Sequence, residues 1–126
     1  MKLNITSVEL IFTVTEKDFA TFGDEVIHKV YSTFSIARDA EWTGRRLFFV
    51  NKEEGEEAVG THVNVKHRAP AFKGEQVLFK AKAESFEHDH LVCSFVATVN
   101  GKIIAEGTTG QKVLKSEIVN KLFNRA

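Results

Sequence analysis

The chain has 126 residues, and its seventeen Lys and Arg balance seventeen Asp and Glu, so no global field draws it to nucleic acid or to an anionic membrane. No apolar run approaches the roughly 20 residues of a membrane span. One domain, 1–126, with a single core is expected at this length. The one cysteine, Cys93, excludes an internal disulfide, and Met1 to Thr6 lacks the apolar core of a signal peptide, so a cytoplasmic setting is expected.

Taken in order, Val8, Leu10, Phe12 and Val14 alternate with Glu9, Ile11 and Thr13, which predicts a first strand. Asp18 to Tyr31 has no clean period. Phe19, Phe22, Val26, Ile27 and Val30, interrupted at Gly23, suit a loop with a helical turn or two. From Ser32-Thr33 the period lengthens, and a hydroxyl there is placed to cap the free N–H groups of a first turn. Phe34, Ala37, Ala40, Glu41, Gly44, Leu47 and Phe48 recur at three- and four-residue steps, an amphipathic helix with Glu41 set in its apolar stripe. Arg38, Asp39, Arg45 and Arg46 fall on the other side. Asn51 to Glu57 is an acidic, turn-rich connector.

Val59 to His67 returns to period two. Val59, Thr61, Val63, Val65 and His67 share one face, with Gly60, His62, Asn64 and Lys66 on the other. Pro70 closes this strand and Lys73-Gly74 turns the chain. Glu75 to Phe86 and Leu91 to Val99 alternate in the same way, with Cys93 beside Leu91 and Phe95. Asn100-Gly101 is a strong hairpin signal before a last strand from Lys102 to Leu114. Ser116 opens a short terminal helix carrying Ile118, Val119, Leu122 and Phe123. Four consecutive strands read as a meander, and one apolar helix before them is most simply buried on that sheet, an α+β arrangement.

Chemistry concentrates where strand meets helix. His67 ends an apolar strand face and Glu41 lies in an apolar helix stripe, so both are expected at the helix–sheet interface. Thr33, two turns before Glu41, brings a hydroxyl to the same place, and the three fit the logic of nucleophile, base and orienter. The plainer readings are a structural His67–Glu41 pair and Thr33 as an N-cap. His88 and His90 flank a turn without a third ligand, and no metal site is expected. His62 and His28 receive no role. Arg45, Arg46, Arg68 and Lys73 read as surface cations, and no phosphate-cradling glycine loop is present.

The run Val59-Gly-Thr-His-Val-Asn-Val-Lys-His67-Arg-Ala-Pro70, followed by Gly74, resembles the corresponding strand of the fluoroacetyl-CoA thioesterase-like family of hot-dog proteins. Glu41-Trp42 matches that family's helix at the same separation, Thr33 falls where the family carries its Thr, and the likeness extends loosely to Leu114. The resemblance implies a hot-dog fold, a central helix wrapped by an antiparallel β-sheet, built as a homodimer or higher homo-oligomer with sites between subunits. It implies hydrolysis of a short-chain acyl-CoA by Thr33, Glu41 and His67. Thr33 would be the polar or nucleophilic partner, Glu41 the base or nucleophile and His67 the acid–base partner, while the backbone N–H of Gly60 would meet the thioester carbonyl. No cofactor is implied beyond the CoA carried by the substrate, and no nucleic-acid or membrane partner. The family's Gly-Thr-His followed closely by Arg is replaced here by Gly107-Thr108-Thr109-Gly110-Gln111, and its pocket aromatics are not recognisable before Thr33, so fluoroacetate selectivity is not carried over. The rival expectation is a non-catalytic hot-dog module that binds acyl-CoA or another apolar ligand. A hot-dog dehydratase would need an Asp/His pair that the sequence lacks.

Overall fold

The computed structural model describes residues 1–124, and its elements follow in the order β1 (Ser7–Thr13), a 3-10 turn (Glu16–Asp18), β2 (Phe19–Phe22), β3 (Glu25–Tyr31), α1 (Thr33–Asn51), β4 (Glu56–His67), β5 (Gln76–Glu87), β6 (His90–Val99), β7 (Lys102–Lys115) and α2 (Ser116–Phe123). Five strands make one antiparallel sheet in the order β1-β5-β6-β7-β4, and α1 packs along its inner face. This central helix against an antiparallel sheet is the hot-dog arrangement.

The order corrects the simple meander. Only β5, β6 and β7 follow one another through tight turns, with left-handed backbone at His88 and Asp89 and again at Asn100 and Gly101. β4 pairs with β7, and β1 pairs with β5. The chain between β4 and β5 crosses the end of the sheet, tied by Arg68 and Ala69 N–H groups donating to the Ile104 carbonyl (2.7 and 3.1 Å) and by Val14 N–H donating to Glu75 (3.0 Å). β4 is therefore an edge strand of twelve residues.

Alternation puts Val77, Phe79 and Ala81 of β5, Leu91, Cys93, Phe95 and Ala97 of β6, and Ile104, Ala105 and Val113 of β7 in the core with Ile36, Ala40, Leu47 and Phe48 of α1. Phe79 meets Phe12 edge to face (centroids 5.4 Å) and stacks on Phe95 (5.9 Å). Each fully buried Leu or Phe contributes about 1.5–3 kcal/mol relative to exposure. Asn51 fastens the helix end to the N-terminal segment. Its Oδ1 accepts from the N–H groups of Asn4 and Ile5, both at 2.9 Å, and its Nδ2 donates to the Ile5 and Leu47 carbonyls.

The buried stripe of α1 differs from the expected one. Ser35, Asp39, Thr43 and Asn51 are buried, whereas Phe34 is 81% exposed and Glu41 also lies on an exposed face. The polar groups go inside because they have partners. Asp39 accepts from the Tyr31 hydroxyl and from Arg38 Nε at 3.0 Å, and Thr43 donates to the Asp39 carbonyl at 2.8 Å.

Two further corrections are local. Asp18 to Tyr31 forms no helical turn beyond the single 3-10 turn; most of it is the β2–β3 hairpin, turning at Gly23 with φ +61°. In β4 a bulge between Gly60 and His62 leaves Thr61 without an opposite residue. The extra residue breaks strict alternation, so Gly60, opposite buried Gln111, joins Val63, Val65 and His67 on the inner face.

Candidate active site

Ser32, not Thr33, caps α1: its Oγ accepts from Ser35 N–H at 3.0 Å. Thr33 is the first helical residue, and its Oγ1 lies 2.8 Å from Nδ1 of His67 at the end of β4. The other ring nitrogen of His67, Nε2, is buried and has no hydrogen-bond partner among the described residues. The ring is thus oriented by a hydroxyl on one side and unsatisfied on the other.

Glu41 sits two turns along α1, about 12 Å from Thr33 at 1.5 Å per residue. Its carboxylate lies over Gly60, with Oε1 2.7 Å from the point a Cβ would occupy there. Only glycine admits this approach, and the bulge aims that backbone inward. Arg45, one turn further, holds the two elements in register. Its guanidinium donates to the Ala58 carbonyl (2.9 Å) and to Glu57 (2.8 Å). The Ala58 N–H and Arg45 together hold the Glu57 carboxyl below the usual range.

Glu41 is thus placed at the helix–strand seam as expected but on its open side, which corrects the expectation that it faces the core. Thr33, Glu41 and Gly60 are all exposed along the free edge of β4. Phe34, Ala37, Trp42 and Arg45 line a hollow of about 440 Å³ with Glu41. Within the chain, then, there are two half-sites: Thr33 with His67, and Glu41 with Gly60.

An anchor supports the first half-site. Arg38 pairs with Asp18 at 2.8 Å and with Asp39 at 3.0 Å, joining the 3-10 turn to the start of α1. Burial works against the Asp18 charge, but the Thr15 N–H and Arg38 prevail and hold its pKa below the usual value. Burial and then the bond to Asp39 push the Tyr31 phenol far up, so it stays a donor. Arg38 and Arg45 are not legible as positioning residues from the sequence, because Asp18, Glu57 and Ala58, which join them to other elements, lie in other segments of the chain. Phe19 and Phe22 were also missed as neighbours of Thr33; a hairpin ending in Phe-Gly was the available signal.

The remaining histidines stand apart. His62 and His90 meet on the outer face of the sheet, ring centroids 6.1 Å apart, and Thr61 Oγ1 lies 2.8 Å from His90 Nε2. Among the described residues no group of three or more His, Cys, Asp or Glu is placed to hold a metal ion, and no helix is long and apolar enough to cross a membrane. Burial pushes the Cys93 thiol up to about 11.

Comparison with known proteins follows the same lines. The family described as FlK, fluoroacetyl-CoA-specific thioesterase, matches residues 14–117. The fold is similar to that of a Thermus thermophilus hypothetical protein, TTHA0967, a thioesterase superfamily member, with TM-score 0.92 and 28% identity over 97% of this chain and 91% of that one. It is similar to the fluoroacetyl-CoA thioesterase FlK (TM-score 0.79, 23% identity, 97% and 94% covered). It also resembles a hot-dog-like protein from Thermanaerovibrio acidaminovorans (0.85, 21%, 96% and 93%). No curated protein matches. By the extent of the family match, the chain belongs to the fluoroacetyl-CoA-specific thioesterase family and is an acyl-CoA thioesterase of hot-dog fold.

Proposed function

We propose that the chain hydrolyses an acyl-CoA thioester with Thr33, Glu41 and His67 acting at one substrate, in a cytoplasmic homodimer whose two copies complete each site. The observation that carries this reading is the Thr33–His67 contact of 2.8 Å beside a buried His67 Nε2 that lacks a partner among the described residues. The Glu41 half-site lies about 12 Å along the same helix, too far for its carboxylate to act with that pair from within one chain.

A second copy resolves the distance. β4 is an unpaired edge, and a long open edge is a template for pairing with another strand. A two-fold axis through Asn64 would set Val63 of each copy opposite Val65 of the other, and the extra residue at the Thr61 bulge would then bring Gly60 opposite His67. Glu41 would come to the partner's Thr33–His67 pair.

In this arrangement the Gly60 N–H stabilises charge on the thioester oxygen as it develops. Glu41 either takes a proton from the water that attacks the carbonyl, or attacks it directly to give a mixed anhydride that water then hydrolyses. Collapse breaks the C–S bond, His67 supplies the proton that leaves with the CoA thiol, and Thr33 keeps its ring in place. Water is consumed, and the acid and CoA are released. No cofactor is needed by this route. A panel of acyl-CoA substrates read by free-thiol release tests it: turnover of at least one member supports hydrolysis, and a folded protein inert on the whole panel contradicts it.

A further inference from the structure

On the far side of Phe34 from Glu41 lies a second hollow, of about 550 Å³, between the β2–β3 hairpin and the start of α1. Phe19, Ala20 and Phe22 form one wall, Phe34 and Arg38 the other, and Thr33 itself is part of the lining. Phe22 is 77% and Phe34 81% exposed, so two phenyl groups border the space without cover from the described residues. Arg38 is held by Asp18 and Asp39 at the mouth.

We infer that this hollow receives the acyl group, and that the acyl group is bulky and apolar, of about six carbons or a phenyl ring rather than two carbons. The inference rests on the thioesterase reading above, because it needs the thioester carbonyl at Thr33 and His67. Three observations carry it. The space is continuous with Thr33, so an acyl chain attached to a carbonyl there has this direction open to it. Phe19, Ala20, Phe22 and Phe34 give it an apolar surface, beside Lys17, Thr21, Ser32, Ser35 and Arg38, and the rings gain by removing that surface from water and offer edges and faces to an aromatic guest. Its size is several times the ~150 Å³ in which an apolar protein cavity takes up benzene, so an acetyl group would leave most of it to solvent. This differs from the short acyl group that the family resemblance implies.

Hydrolysis-inert thioethers separate the acyl preference from turnover. Calorimetric affinities of the full-length protein for S-hexyl-CoA and S-ethyl-CoA should differ by at least tenfold in favour of hexyl, since each methylene that becomes buried is worth about fourfold. Phe22→Ala, at an exposed hairpin position, should cut the hexyl affinity severalfold and leave the ethyl affinity unchanged; Phe34→Ala should act in the same direction. Equal affinities, tighter binding of the ethyl compound, binding of neither, or variants that leave the ratio intact would overturn the inference. Hexanoyl-CoA and acetyl-CoA turnover distinguishes it from the reading beneath it. Tight S-hexyl-CoA binding without turnover of either thioester keeps the acyl pocket and removes the hydrolysis. Turnover that favours acetyl-CoA, with the two thioethers bound alike, does the reverse.

Discussion

Thr33 Oγ1 rests 2.8 Å from Nδ1 of His67, although thirty-four residues separate them in the chain. Ser32 caps α1, which leaves the Thr33 hydroxyl available to the imidazole. Adjacent hydroxyls in one Ser-Thr pair therefore do different work, and substitution can separate them.

Ser32→Ala removes the cap and is expected to cost about 1 kcal/mol of stability, a fall of roughly 3–6 °C in Tm for a domain of this size, with thioesterase activity retained in the folded protein. Thr33→Val keeps the shape and removes the hydroxyl. It should leave Tm nearly unchanged and lower kcat/KM. Thermal melts paired with thiol-release assays check both; equal behaviour of the two variants would remove the distinction.

Glu41→Gln and His67→Ala should each lower kcat/KM by about 10²–10⁴-fold, the usual contribution of a positioned acid or base. Glu41 is exposed, so its variant should melt with the wild type. Full activity in either folded variant would show that the residue is not part of the chemistry.

Two glycines predict opposite outcomes for stability. A methyl at Gly60 meets only the end of the flexible Glu41 side chain, so Gly60→Ala should fold normally. It should nonetheless lose about 10²-fold in kcat/KM through displacement of that carboxylate. A methyl at Gly107 meets the Asn64 backbone carbonyl in the adjoining strand. Gly107→Ala should therefore cost about 1–3 kcal/mol by overpacking and disturb β4 as a whole. Urea unfolding with activity at each point separates the two effects.

Stability should fall in acid partly through Asp18. Its pKa is held below the ordinary value near 3.8 despite burial, because the Thr15 N–H and Arg38 favour the carboxylate. A group whose folded pKa is depressed stabilises above its unfolded value and loses that contribution as pH falls through the folded one. Tm measured from pH 7 to pH 3 should drop below about pH 4, and Asp18→Asn, less stable at neutral pH, should show a shallower drop. Parallel curves would assign the acid sensitivity elsewhere.

β1, the long helix and β4 to β7 are legible because periodicity acts locally, and the resemblance points to Thr33, Glu41 and His67, of which the fold brings Thr33 to His67. What escaped the sequence was non-local. The buried face of α1 is not legible because Asp39 and Thr43 look like surface residues until Tyr31 and Arg38 donate to the Asp39 carboxylate and Thr43 donates to the Asp39 carbonyl. Gly60 was placed on the wrong face because one bulge residue, Thr61, inverts the alternation behind it. The hairpin from Phe19 to Tyr31 reads as a loop with a helical turn or two because its side chains lie mostly in solvent, which erases the buried-exposed rhythm. Pairing of β4 with β7 instead of β5 depends on a crossing segment whose hydrogen bonds go to Ile104, far along the chain.

If Glu41 acts with Thr33 and His67 of a second copy, mixing two inactive variants should restore activity. Glu41→Gln and His67→Ala proteins, each inactive alone, are unfolded together, refolded and assayed. In a two-fold dimer with shared sites, each mixed dimer carries one intact site, so about a quarter of wild-type activity should return. Mixed dimers that form, as seen by native mass spectrometry, and remain as inactive as either parent would contradict the shared site.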